Sequence, residues 1–301
     1  MPSLCPLFLY CSLVKSSNYI PRLSWKSSKP LLRHHVFSLH TLACSILVDC
    51  TRSPARQKYH TTEKFRISFT AMHIATPLAV LLLHFTSVFA VKLNIVAAGA
   101  SITYGLMSSH GNGYRGDVLY SLQAAGHEVR MVGTRSGGDC YQPWSEGYPG
   151  FVIDQLKRNF TQQFSKFQYP PNVIITLIGT NDQKPGAADI SGAPGRFNGL
   201  LDLYQYLCPD CVIVASTLPP NGNQEHNNNI NSYNAAMKNI IASRRVAGQH
   251  ILLNDGNTGL SIAGEMGSDQ YHPNDKGYTM IGQRMAGQIK SAVAMGWIKT
   301  S

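Results

Sequence analysis

Acid is nearly missing from the front of this 301-residue chain: residues 1–90 hold ten Lys/Arg but only Asp49 and Glu63, and so supply +8 of the formal net charge of +10. The remainder has sixteen basic and fourteen acidic side chains and lacks a basic stripe that would neutralise phosphates. Nucleic acid is therefore excluded as an expected partner of that part, and the charge divides the chain near residue 90. Cysteine is also scarce beyond this boundary. Cys5, Cys11, Cys44 and Cys50 precede it, which leaves Cys140, Cys208 and Cys211. The lone pair Cys208-Pro-Asp-Cys211 lacks the second ligand pair of a zinc site. It also ends a helical pattern instead of opening a helix after a strand, which argues against redox chemistry. A structural bridge is expected, within the pair or from Cys140 to one of its members. No His/Asp/Glu cluster has metal-ligand spacing, so neither metal nor cofactor is expected.

A long apolar run occurs once, in MHIATPLAVLLLHFTSVFA from Met72 to Ala90. It has an apolar core from Leu78 to Phe85 and the small residues a signal peptidase reads, Val88 to Ala90. Pro77 and His84 interrupt it, and it is short for a membrane-spanning helix. The run reads as a secretory signal (72–90) cleaved after Ala90, so the mature chain is expected to be extracellular, with no stable membrane association. Residues 1–71, rich in Ser, Arg and His, are read as an unstructured basic extension or as untranslated sequence ahead of a start at Met72. The sequon Asn159-Phe160-Thr161 agrees with secretion.

From Val91 onward short apolar runs alternate with amphipathic stretches, the pattern of βαβ units. Strands are predicted at Leu93 to Ala97, Glu128 to Val132, Val173 to Leu177, Val212 to Ala215 and Ile251 to Leu253. Helices are predicted at Tyr114 to Ala125, Ile153 to Phe164, Arg196 to Leu207, Ile230 to Arg245 and Asp275 to Met295. Residues 91–301 should form one three-layer α/β/α domain, expected to be a monomer. The third strand is nearly all β-branched or apolar, as a central strand covered on both faces should be. Ligands of open α/β sheets bind beyond the carboxyl ends of the strands, so the loops there are where chemistry is sought.

After the first strand comes Gly99-Ala100-Ser101-Ile102-Thr103-Tyr104-Gly105, whose small residues permit a sharp turn and an exposed hydroxyl. Gly147-Tyr148-Pro149-Gly150-Phe151 follows the second strand, and Gly179-Thr180-Asn181-Asp182 follows the third. A glycine N–H and an asparagine NH₂ can both donate to a substrate oxygen. After the fifth strand stands Asp269-Gln270-Tyr271-His272-Pro273, in which an Asp three residues before a His can fix its tautomer. In isolation each piece is an ordinary loop. Together, and in this order, they resemble the SGNH or GDSL-type hydrolase superfamily from Gly99 to Tyr278. The blocks GASITYG, GNGYRG, EGYPGF, GTND and DQYHPNDKGY are most similar to those of carbohydrate esterase family 3, the acetyl xylan esterase group.

That resemblance implies a five-stranded parallel sheet of flavodoxin-like order. It implies Ser101 as nucleophile, His272 as base, Asp269 as its orienting acid, and the Ser101 and Gly150 N–H groups with Asn181 as the oxyanion hole. Ala100 departs from the family's usual Gly-Asp-Ser. The implied reaction is hydrolysis of short-chain esters on an acetylated polysaccharide such as acetyl xylan, or on a small ester. Tyr141, Trp144 and Tyr148 crowd the loop that delivers Gly150 and are candidate sugar-binding residues; a hydrophobic cluster pinning that loop is an equal reading. The absence of a long apolar lid after residue 90 weighs against a lipase. Three other readings remain: a non-catalytic carbohydrate-binding protein on the same fold, a GDSL-type acyltransferase, and a dinucleotide site at Gly111-Asn112-Gly113-Tyr114-Arg115-Gly116. The last fails on context, because the motif lies more than a dozen residues past its strand.

Overall fold

The computed structural model describes residues 90–298. The basic extension and all but the last residue of the predicted signal lie outside the described residues. Of the first described residues, Ala90 is exposed, whereas Val91 and Leu93 are buried.

The strands are β1 (Lys92–Gly99), β2 (Glu128–Val132), β3 (Arg135–Ser136), β4 (Trp144–Gly147), β5 (Val173–Leu177), β6 (Val212–Ser216) and β7 (Ile251–Asn254). Five of them, in spatial order β2-β1-β5-β6-β7, pair in parallel and correspond to the five predicted strands. This is the flavodoxin-like order, with its switch point between β1 and β5. Val173, Ile174, Ile175 and Leu177 of β5 are all buried, as its unbroken apolar pattern requires.

Short β3 and β4 are additions to the expected five strands. β2 pairs with β1 only from Lys92 to Val96, and β4 then takes the same edge opposite Ala98 and Gly99. β3 closes back on β4 as an antiparallel pair. Two-residue pairings carry too little periodicity to show in a sequence pattern.

The helices are α1 (Ser101–Tyr104), α2 (Tyr114–Ala124), α3 (Ile153–Gln163), α4 (Ala193–Leu207), α5 (Gln224–Val246) and α6 (Asp275–Ala294). α2 packs on α6, whereas α3 packs on α4 and α4 on α5, giving a helical layer on each face of the sheet. The predicted start of α5 at Ile230 is corrected to Gln224. The Asn-rich stretch ahead of Ile230 is helical because Asn223 caps it, its side chain accepting from the His226 N–H at 2.9 Å. Cys208 and Cys211 form a disulfide at the end of α4, and Cys140 is free and buried.

Candidate active site

The four sequence blocks converge at the carboxyl edge of the sheet. The turn bearing Ser101 starts at the last residue of β1, where Gly99 is obligatory: a Cβ there would lie 2.1 Å from Thr103 Oγ1 and 2.2 Å from the Leu177 carbonyl. Ala100 offers no side-chain cap to α1. The turn is held instead by Arg115, fully buried, whose guanidinium donates to the carbonyls of Thr103, Tyr104, Gly111, Gly137 and Pro143 at 2.8–3.0 Å. The residues that matched a dinucleotide motif thus brace the serine turn, and Gly113 lies against Gly105.

Ser101 Oγ lies 2.8 Å from His272 Nε2, and His272 Nδ1 lies 2.6 Å from Asp269 Oδ2. Asp269 Oδ1 accepts the backbone N–H groups of Tyr271 and His272 at 2.9 and 3.0 Å. Burial pushes the Asp269 carboxyl up, but these hydrogen bonds outweigh it and leave the group below its ordinary value. An ionised carboxylate can only accept, so Nδ1 carries the proton and the Nε2 lone pair faces the Ser101 hydroxyl.

The loop carrying this pair is closed by a bridge between Met266 and Pro273, with the Gly267 N–H donating to the His272 carbonyl at 2.7 Å. Gln270 at its tip adopts φ 54°, and Met107, packed against Gly267, adopts φ 66°. These are the only non-glycine residues with positive φ among the described residues, one on the loop of Asp269 and His272 and the other packed against it. Backbone strain of this kind gathers where the surrounding structure over-determines a functional loop.

The turn delivering Gly150 has Pro149 at its second position and Gly150 at its third, with φ 86° and a Phe151 N–H bond to the Tyr148 carbonyl at 3.1 Å. That is the residue pattern of a type II turn, which needs positive φ at the third position. Neither the Ser101 nor the Gly150 N–H has a hydrogen-bond partner among the described residues. Asn181, in a one-turn 3₁₀ helix (Thr180–Gln183), donates through Nδ2 to the Phe151 carbonyl at 2.9 Å and keeps one N–H to spare. The adjacent Asp182 accepts from the Ile153 N–H at the start of α3 and from Arg196. Two neighbouring side chains therefore tie the third block to the Gly150 turn. Asp182, Arg115 and Tyr271 were not singled out from the sequence, although each stands inside a quoted block. Their partners are distant in the chain, so spacing gives no signal for them.

The three candidate sugar-binding aromatics are not brought together. Gln123 Nε2, in the last turn of α2, donates to the Tyr141 hydroxyl, which places Tyr141 toward the end of that helix farthest from the serine turn. Trp144 is exposed and opens β4, where it pairs with Ser136 of β3. Tyr148 stays near the site, but its ring stacks on Phe151 at 4.7 Å and its hydroxyl donates to the buried Glu146 at 2.7 Å. The pinning role fits Tyr148 better than substrate binding. The described residues hold no group of three or more His, Cys, Asp or Glu able to share a metal ion.

A parallel sheet with Ser, His and Asp on loops beyond its carboxyl edge defines an SGNH-type hydrolase architecture. A profile of the GDSL-like lipase/acylhydrolase family matches residues 97–280, more than half of the chain, and the chain belongs to that family. A multidomain esterase of Ruminococcus flavefaciens is 27% identical over 236 residues, covering 69% of this chain and 29% of that protein. The chain thus spans less than a third of that relative's length. The family 3 carbohydrate esterase of Clostridium thermocellum shares the fold with TM-score 0.58 and 20% identity, over 68% of this chain and 96% of that one. So do a family 3 carbohydrate esterase from Talaromyces cellulolyticus (TM-score 0.55, 21% identity, 70% and 100% covered) and an acetylxylan esterase from Geobacillus stearothermophilus (0.51, 16%, 70% and 99%).

Proposed function

We propose that this chain is a serine esterase that removes short acyl groups, acetyl first among them, from a plant cell-wall polysaccharide such as acetyl xylan. The observation that carries the reading is the hydrogen-bonded line from Asp269 through His272 to Ser101. Membership of an acylhydrolase family and the shared fold with carbohydrate esterases support it.

In this reading His272 Nε2 takes the Ser101 proton as Oγ attacks the ester carbonyl, forming the C–O bond of a tetrahedral intermediate. The oxyanion accepts from the free N–H groups of Ser101 and Gly150 and from the spare N–H of Asn181. Collapse expels the alcohol, which takes the proton from His272. Water, deprotonated by the same base, then releases the acid and regenerates Ser101. Asp269 keeps Nδ1 protonated and stabilises the imidazolium that forms. The enzyme is further proposed to be secreted, with a chain start at Val91, and to act as a monomer. No described helix is long and apolar enough to cross a membrane.

The test is acetate release from acetylated xylan and hydrolysis of p-nitrophenyl acetate and longer p-nitrophenyl esters, by the wild type and by Ser101→Ala. Release by the wild type alone, with short chains preferred, is expected. Equal rates for the two proteins would remove Ser101 from its role. A preference for long chains would replace the acetyl reading with a lipase one. Asn181→Ala should lower turnover on the order of 100-fold.

A further inference from the structure

Tyr271 lies on the loop of the base, one residue before His272, yet its hydroxyl meets Asn181 Oδ1 at 2.9 Å across the mouth of the site. The orientation of the Asn181 amide follows from its other partner. The Phe151 carbonyl can only accept, so the amide nitrogen faces it and the amide oxygen faces Tyr271, whose hydroxyl must donate.

Asn181 is 8% exposed, and no other group donates to its oxygen among the described residues. Without the Tyr271 hydroxyl that buried acceptor is left unpaired, and the amide gains by swinging away from the geometry that aims its spare N–H. The accepted hydrogen bond also polarises the amide and strengthens it as a donor. Burial, with the Asp269 charge second, pushes the Tyr271 phenol far above its ordinary range, so it remains a donor wherever the enzyme would work.

We propose that Tyr271 is a positioning residue for the oxyanion hole, holding Asn181 to the His272 loop so that base and oxyanion donor keep one geometry. Its ring is fixed for this task. It packs beside His226 and His272 at centroid distances of 5.5 and 4.8 Å, with the Lys184 ammonium 5.3 Å above it. His226 in turn hydrogen-bonds the Thr180 carbonyl, next to Asn181, at 2.8 Å. The inference rests on the serine-esterase reading and adds to it a residue that acts through Asn181, not on the substrate.

Tyr271→Phe keeps the ring and removes only the hydroxyl. The experiment is steady-state hydrolysis of p-nitrophenyl acetate by the full chain in four forms: wild type, Tyr271→Phe, Asn181→Ala and the double variant. Melting curves set a temperature at which all four are folded. Tyr271→Phe is expected to lower kcat about 10-fold with KM unchanged, and to cause no further loss once Asn181 is alanine. Three results would overturn the inference while leaving the esterase reading intact: an unchanged kcat, a raised KM at constant kcat, or the same loss in both backgrounds. A wild type whose hydrolysis survives Ser101→Ala overturns the esterase reading and this inference with it.

Discussion

The side-chain nitrogen of Asn159, the acceptor atom of the sequon, is buried on α3 without a hydrogen-bond partner. A glycan there would prevent α3 from packing, so the native protein should carry none. Intact mass before and after glycosidase treatment checks this, and a mass loss would contradict it. The candidate site residues were legible as types because Ser101 and Asn181 stand directly after strands and His272 stands three residues after an Asp. Tyr271 and Asp182 were not legible. Tyr271 is 90 residues from Asn181 and Asp182 is 29 residues from Ile153, and no local pattern records such contacts. Tyr141 and Trp144 show the converse: aromatic residues close together in sequence, one bonded to α2 and the other on β4 opposite Ser136 of β3.

At the scale of elements, the serine turn and the base loop each depend on one charged side chain. Arg115 binds five carbonyls from the segments that surround α1. Arg115→Lys keeps the charge but loses the planar fork, leaving carbonyls unpaired. We expect a loss on the order of 3 kcal/mol in denaturant unfolding together with reduced turnover. On the base loop, Glu265 accepts from Ser261 N–H and hydroxyl at 2.9 and 2.8 Å and pairs with Lys276. Lys276 and then Ser261 hold its carboxyl down to about 2 from an ordinary 4.5. A carboxyl depressed on folding contributes its full stability above the unfolded value and loses it as pH falls from 4.5 to 2. The melting temperature of Glu265→Gln should therefore lie below the wild type near pH 6, with the gap closing below pH 4.5. A gap that persisted near pH 2 would show that the charge was not its cause.

At the scale of the molecule, a mature chain is proposed to begin at Val91, which is buried. Mass spectrometry of a secreted product should find Val91 at its N-terminus; retention of residues 72–90 would make the apolar run an anchor. The sequence by itself determined the five parallel strands, most helix bounds and the residue types available for chemistry. Each of these follows from alternation, apolar runs and turn residues within a few neighbouring positions. Only the tertiary structure decided that Ser101 and His272, 171 residues apart, meet at 2.8 Å, that Arg115 braces the serine turn, and that Asp182 and Tyr271 tie the Asn181 segment to its neighbours. Convergence depends on strand order and register, which are set by packing between distant segments, and a local pattern contains neither.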